Sequence, residues 1–379
     1  MAEREQISGA MQLDAGLEPA NAGNQGAEAR AESSSQYPSR PAAHRGKRLL
    51  KRALGLIVVA LILIFLGRNL ADNWNKLSGY HWQASAPLLA LAFIGFVAQT
   101  LSYPLVWRLI LRRLGYTLSL PKSVRIYLAS EFVRYLPGNV WHVITRILWA
   151  EREGIPKSIG FVSMTVELVT KIASAALVFA VTLLFWPRID VLGSAIGGQI
   201  SVLIGLAAIP AVLGLMQPRL LAWLLNRALK LMRKEPITLP MRYRDVLITV
   251  LCWCGSWAIG GVAFYLLVVG VIGASGWSLL TLLLSIGIAS LGWDIGFLSF
   301  ITPSGLGFRE AATALLLTLS LVVPGIALAT VIAFLWRILS TLAELLCVGG
   351  AHLIVSRMER TRKTEPTTGY TQEAGAMID

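Results

Sequence analysis

Between Val246 and Ser356 the only formal charges are Asp294, Arg309, Glu310, Arg337 and Glu344. A surface so poor in charge cannot be that of a water-soluble domain, and this limits the fold before any motif is considered. Over all 379 residues 15% are charged and 55% hydrophobic, against roughly 25% charged in a soluble protein. Backbone polar groups find no water in hydrocarbon, so a spanning segment satisfies them internally as a helix. The chain therefore reads as an all-α polytopic membrane protein.

Each crossing needs about 20 apolar residues. Eight are read: 53–71, 86–110, 159–186, 191–216, 246–272, 277–297, 308–323 and 326–355, the seventh being short. Residues 1–48 read as a disordered cytoplasmic tail, closed by a juxtamembrane basic cluster that includes Arg40, Arg45, Lys47 and Arg48. Residues 49–357 form the membrane domain, and 358–379 a second disordered tail. The net charge of +13 gathers beside apolar runs rather than along a soluble face, which is the positive-inside pattern and argues against nucleic acid. This pattern puts both termini on the cytoplasmic side of the cell membrane. The loop 217–244 is also basic, and Leu220, Trp223, Leu224, Ala228 and Leu231 recur in it at helical spacing, which predicts an amphipathic interfacial helix. Cys252 and Cys254, two apart on a helix, face different ways and suit neither a disulfide nor a metal.

Two places break the helical pattern. One is Thr302-Pro303-Ser304-Gly305-Leu306-Gly307-Phe308-Arg309-Glu310, where a proline and two glycines interrupt the apolar run beside a charged pair. Non-helical backbone at membrane depth survives only where protein or a watery cavity surrounds it. The other is 126–150, apolar but carrying Glu131, Arg134, Pro137-Gly138, His142 and Arg146. With cations on both sides it reads as a re-entrant or interfacial Pro-Gly segment rather than a ninth span. The two breaks resemble each other weakly, as in transporters built from inverted repeats whose broken helices meet near the midplane.

An ionisable side chain near mid-membrane costs at least ~2.5–3.5 kcal/mol on insertion scales and is retained where it pairs, meets water or functions. Glu167 and Lys171, four apart, share a helix face and can pair. Arg337 and Glu344, seven apart, also share one, with Arg337 near the bilayer centre. Arg337 stays charged at any accessible pH, so it suits a phosphate-bearing headgroup. The glycine-rich turn before the helix starting near Phe308 can offer N–H groups to an anion, and Arg309 adds a bidentate fork. The plainer alternative is that Gly305 and Gly307 admit close helix packing while Arg309 and Glu310 cap the helix. Asp294 is a candidate proton-coupling acid or a partner for Arg309. The sequence contains no Walker loop, dinucleotide-binding glycine pattern, paired-histidine metal motif or nucleophile elbow, so no cofactor, metal or soluble catalytic centre is expected.

Tyr135-Leu136-Pro137-Gly138, Arg146, Glu167, the 302–310 turn and Arg337 together resemble the transmembrane region of lysylphosphatidylglycerol synthases, over roughly residues 50 to 357. The resemblance implies a flippase-like domain that moves a polar or anionic lipid, or a lipid-linked intermediate, across the membrane. It assigns Arg146, Glu167, Arg309, Glu310 and Arg337 to the headgroup path, joined on charge and depth by Lys171, Asp294, Pro303, Gly305, Gly307 and Glu344. Family members with a cytosolic aminoacyl-transferase domain also synthesise the lipid. Too few residues follow Arg357 for such a domain, so a transporter rather than an enzyme is expected. The rival readings are a membrane-embedded transferase using Glu131, Asp294 or Glu310 on polyprenyl-linked substrates, and a non-catalytic subunit of a lipid or envelope pathway. Membrane lipids are the expected partners, with a second copy of the chain or lipid- and envelope-biosynthesis enzymes as further ones.

Overall fold

Ten helices account for almost all of the described structure. A computed structural model describes residues 84–133, 141–186, 197–231, 241–273, 277–299 and 305–364, together with the isolated positions 64, 68 and 236. The helices are α1 Ala86–Arg113, α2 Leu120–Phe132, α3 Trp141–Glu151, α4 Lys157–Leu183, α5 Gly197–Leu215, α6 Pro218–Leu231, α7 Tyr243–Ile272, α8 Leu279–Leu298, α9 Phe308–Leu319 and α10 Ile326–Thr364. No strand occurs among the described residues. The protein is a multi-pass membrane protein.

Among the described residues five helices are long and apolar enough to cross a membrane: α1, α4, α7, α8 and the Ile326–Leu353 part of α10. The sequence reading expects eight crossings. Its first, 53–71, lies outside the described residues. Its fourth corresponds to α5, whose apolar stretch Val202–Leu215 is short. Its seventh is α9, about 18 Å long at 1.5 Å per residue and so well under the ~30 Å hydrocarbon thickness. At the other extreme, α10 runs on to Thr364, past the expected end near 355, since Arg and Lys are good helix formers and no proline or glycine interrupts 352–364. A helix does occupy the basic loop, α6, but not with the expected face inward: Trp223 of the expected stripe is exposed, while Leu221 and Leu229, outside that stripe, are buried.

Helix ends follow local chemistry. Pro87 and Pro121 sit in the first turns of α1 and α2, where the missing N–H costs nothing. Ser278 caps α8 by accepting from the Thr281 N–H at 2.9 Å. At the start of α7, Asp245 accepts from the Arg242 N–H at 3.1 Å and pairs with Arg113 at the end of α1 at 3.0 Å. At the opposite ends of the same two helices the Ser85 N–H donates to the Gly270 carbonyl at 2.9 Å, so α1 and α7 are antiparallel along their length.

The described core falls into three apolar clusters, and α1 contributes to each. Ala92 and Phe96 pack with α7, α8, α9 and α10. Val106 and Ile110 pack with α4, α6 and α7. Trp107 and Leu111 pack with α2, α3 and α10. Lipid is as apolar as leucine, so helices in a membrane associate through close backbone approach. A Cβ added at Gly95 would lie 2.7 Å from the Ala263 Cβ, one at Gly261 2.5 Å from the Ile286 Cα, and one at Gly287 2.0 Å from the Thr182 Oγ1.

Gly261→Val is accordingly expected to destabilise the fold by about 1–3 kcal/mol through overpacking of α7 on α8. Gly255→Ala, where an added Cβ meets nothing within 4 Å, is expected to leave stability unchanged or raised. Apparent melting temperatures of the purified variants in detergent provide the check.

Candidate functional site

The helices α2 and α3 form a hairpin whose two ends meet where Lys122 pairs with Glu153 at 2.5 Å. It therefore enters and leaves at one end of the bundle, with its tip, 134–140, outside the described residues. Near that tip Arg146 is 1% exposed. Its Nη1 donates to Glu167 Oε2 on α4 at 2.7 Å, its Nε to Ser130 Oγ at 2.8 Å, and its Nη2 to Glu131 Oε1. The guanidinium lies over the Tyr127 ring, 3.7 Å from the centroid, and the Tyr127 hydroxyl donates to Glu167 Oε1 at 2.7 Å. One buried cation thus holds two carboxylates from two helices.

The expected pairing of Glu167 with Lys171 along α4 gives way to this cross-helix arrangement, because both oxygens of Glu167 are already engaged by Tyr127 and Arg146. The Lys171 ammonium instead sits in a box of aromatic faces: Tyr103 at 4.0 Å, Trp293 at 4.4 Å and Trp253 at 4.9 Å. Cation–π contacts of this kind reach about 2 kcal/mol when desolvated. Asp294, 4% exposed on α8, feels the charge of Lys171, and its Oδ1 is buried with no hydrogen-bond partner.

On the far side lie the interrupted segment and α10. Gly305 and Gly307 have φ of +68° and +85°, a region that side chains resist. A Cβ on Gly305 would lie 2.1 Å from the Gly296 carbonyl oxygen, and one on Gly296 2.7 Å from the Arg309 Cβ, so glycines seat α9 against α8. The Gly307 N–H donates to Glu310 Oε2 at 2.7 Å. The anion nest expected at this helix start is thereby occupied, at this N–H, by the helix's own carboxylate, as an N-cap to N3 spacing permits. Glu310 Oε1 lies 3.7 Å from the Arg337 Nε. Arg309 stacks on Trp336, 3.8 Å from the ring centroid, and its Nε is buried without a hydrogen-bond partner. It also feels Arg337, Glu310 and Glu344. Arg337 thus pairs with Glu310 across helices, and Glu344 lies within electrostatic range of Arg309.

Tyr103 connects the two sides. It packs on Tyr127 and Trp253, faces Lys171, and lines a small cavity with Glu131 and Glu344. Glu131 also borders a second cavity of about 40 Å³, shared with His142, Glu167 and Lys171. That volume holds a few waters and no lipid headgroup. Of the expected residues, Glu131, His142, Arg146, Glu167, Lys171, Asp294, Gly305, Gly307, Arg309, Glu310, Arg337 and Glu344 gather along this buried seam. Arg134, Pro137, Gly138 and Pro303 lie outside the described residues. Sequence reasoning passed over Tyr103, Tyr127, Trp253, Trp293 and Trp336, which look like ordinary membrane aromatics. Their one available signal is position, since Trp336 precedes Arg337 and Trp293 precedes Asp294.

Arg146→Met removes the cation that holds the buried Glu167 and the half-buried Glu131 and is expected to cost roughly 3–5 kcal/mol. Neutralising both acids in the same chain, as Glu131→Gln with Glu167→Gln, is expected to restore most of that loss. Thermal unfolding in detergent reads both steps, and an Arg146→Met protein as stable as wild type contradicts the assignment.

Neither the curated proteins nor the solved structures include a significant match to this chain. The family model described as lysylphosphatidylglycerol synthase TM region matches residues 52–347, a stretch that holds the whole buried seam. The chain belongs to that family of integral membrane proteins, whose name ties it to lipid metabolism.

Proposed function

We propose that the protein translocates a lipid with a polar or anionic headgroup, or a polyprenyl-linked intermediate, across the cytoplasmic membrane, and that it acts as a transporter rather than an enzyme. The observation that carries this reading is Arg309. A guanidinium in a membrane bundle, stacked on Trp336 with a buried Nε lacking a hydrogen bond, stands beside a second arginine. A phosphate oxygen supplies the missing acceptor and offsets the repulsion between the two cations. The seam continues through Tyr103, Lys171 and Glu167 to Arg146, which gives a headgroup successive polar partners while its tails stay in lipid. Positive-inside counting supports a cytoplasmic location for both termini and for the ends of the α2–α3 hairpin.

The cavities along the seam are too small for a headgroup, so this is a closed arrangement and transport requires separation of the helices that bear it. The α2–α3 hairpin is the candidate to move, since its Arg146 is held by Glu167 on α4, whereas Arg309, Glu310 and Arg337 find partners within the α9–α10 pair. A gradient, scrambling, or consumption of lipid on the far side are drivers compatible with this arrangement. A transferase reading draws on the approach of Glu131, Glu167 and His142 to one cavity. Arg146 occupies both carboxylates, however, which makes them poor bases.

Wild-type protein in proteoliposomes is expected to move fluorescent phosphatidylglycerol between leaflets at least about tenfold faster than the Arg309→Ala, Arg337→Ala double variant, the loss expected when about 1.4 kcal/mol of headgroup interaction is removed. Equal rates in two preparations of equal thermal stability exclude this role for the arginines. Turnover of a sugar donor with polyprenyl phosphate, abolished by Glu310→Gln, favours the transferase instead.

A further inference from the structure

A larger cavity of about 350 Å³ lies outside the seam, between α2, the end of α3 and α10. It falls in the range of about 300–1,000 Å³ typical of ligand sites and far exceeds the seam's own cavities. Among the described residues its polar rim carries Lys122, Arg125, Arg152 and His352 with one acid, Glu153, which is bonded to Lys122. Its inner wall is apolar, formed by Ile126, Trp149, Val348 and Ala351. Ile126 and Ala351 are buried, whereas Arg125 and Arg152 are exposed. A basic rim over an apolar wall matches an anionic amphiphile better than a free anion, which gains nothing from the wall.

The placement gives this cavity a purpose. Val348 borders both it and the cavity lined by Tyr103, Glu131 and Glu344, and Glu131 in turn borders the cavity of Glu167 and Lys171. Three spaces thus follow one another from the basic end of the bundle into the seam, each sharing a lining residue with the next. Leu345, which lines the middle space, is 38% exposed on α10, so acyl chains can remain outside in lipid as a headgroup passes.

We propose that the cavity bounded by Lys122, Arg125, Arg152 and Val348 is the entry port for a phospholipid of net negative charge, which docks there before its headgroup passes Val348 into the seam. As an entry port it rests on the translocation reading; as a lipid site it does not. The rim cations meet the phosphate, and the wall of Ile126, Trp149 and Ala351 meets the first carbons of an acyl chain.

Two measurements separate these parts. Purified protein in detergent is supplied with equal amounts of phosphatidylglycerol and phosphatidylcholine, and retained lipid is counted by native mass spectrometry. Arg125→Gln with Arg152→Gln is expected to lower phosphatidylglycerol retention at least about tenfold, since each basic contact near a membrane surface contributes on the order of 1 kcal/mol. Phosphatidylcholine retention is expected to be unchanged. Unchanged phosphatidylglycerol retention, or equal loss of both lipids, overturns the site. In proteoliposomes, Val348→Trp, which adds bulk between this cavity and the next, is expected to slow transfer of fluorescent phosphatidylglycerol at least about tenfold. Wild-type transfer rates in Val348→Trp overturn the entry role and leave translocation standing. Absence of transfer by the wild type overturns translocation and the entry role together, and the retention measurement then decides the lipid site alone.

Discussion

The ion pair of Arg146 with Glu131 and Glu167 is the interaction on which the arrangement of the site depends. A charge taken out of water is tolerated only with close partners, and these three side chains come from α3, α2 and α4. Their mutual need draws the hairpin against the long spanning helix. The Tyr127 hydroxyl and Ser130 fill the remaining hydrogen-bonding positions. Glu131 and Glu167 both line the cavity that His142 and Lys171 share, so this contact also fixes two of that cavity's walls.

Around that contact the bundle is assembled by small residues and aromatic faces rather than by a hydrophobic driving force. Gly261 on α7 and Gly287 on α8 allow backbones to approach where any side chain would collide. The Trp257 Nε1 donates to Ser174 Oγ at 2.9 Å and ties α7 to α4, and the Trp107 Nε1 donates to Ser163 Oγ at 3.3 Å and ties α1 to α4. Such bonds average only about 0.6 kcal/mol in membranes, so many are needed and each is individually replaceable. A bundle held this way can separate locally without unfolding, which a path for a headgroup requires.

The two sides of the seam solve the problem of a buried arginine differently. Arg146 is saturated by carboxylates. Arg309 relies on the Trp336 ring and retains an unmet N–H. A saturated cation is architecture first, whereas one with spare capacity has a reason to meet a ligand. Glu310 sharpens the contrast, because it caps its own helix through Gly307 and reaches Arg337 only at 3.7 Å.

By itself the sequence determined the class of the protein, the position of most described helices, the helix in the basic loop now seen as α6 and the set of anomalous charges. All of these depend on local composition and on a period of 3.6 residues, which one chain segment records in full. The capping of α9 was legible for the same reason, since Gly307 and Glu310 are three residues apart. Which charges pair was decided only by the tertiary structure. Helical spacing puts Glu167 and Lys171 on one face, yet Glu167 bonds Arg146, 21 residues away, and Lys171 is boxed by Tyr103, Trp253 and Trp293. Such partners meet because glycine contacts set how closely helices pack and because a hairpin folds back on itself. Neither leaves a periodic trace in the sequence, because a long-range contact depends on two segments at once.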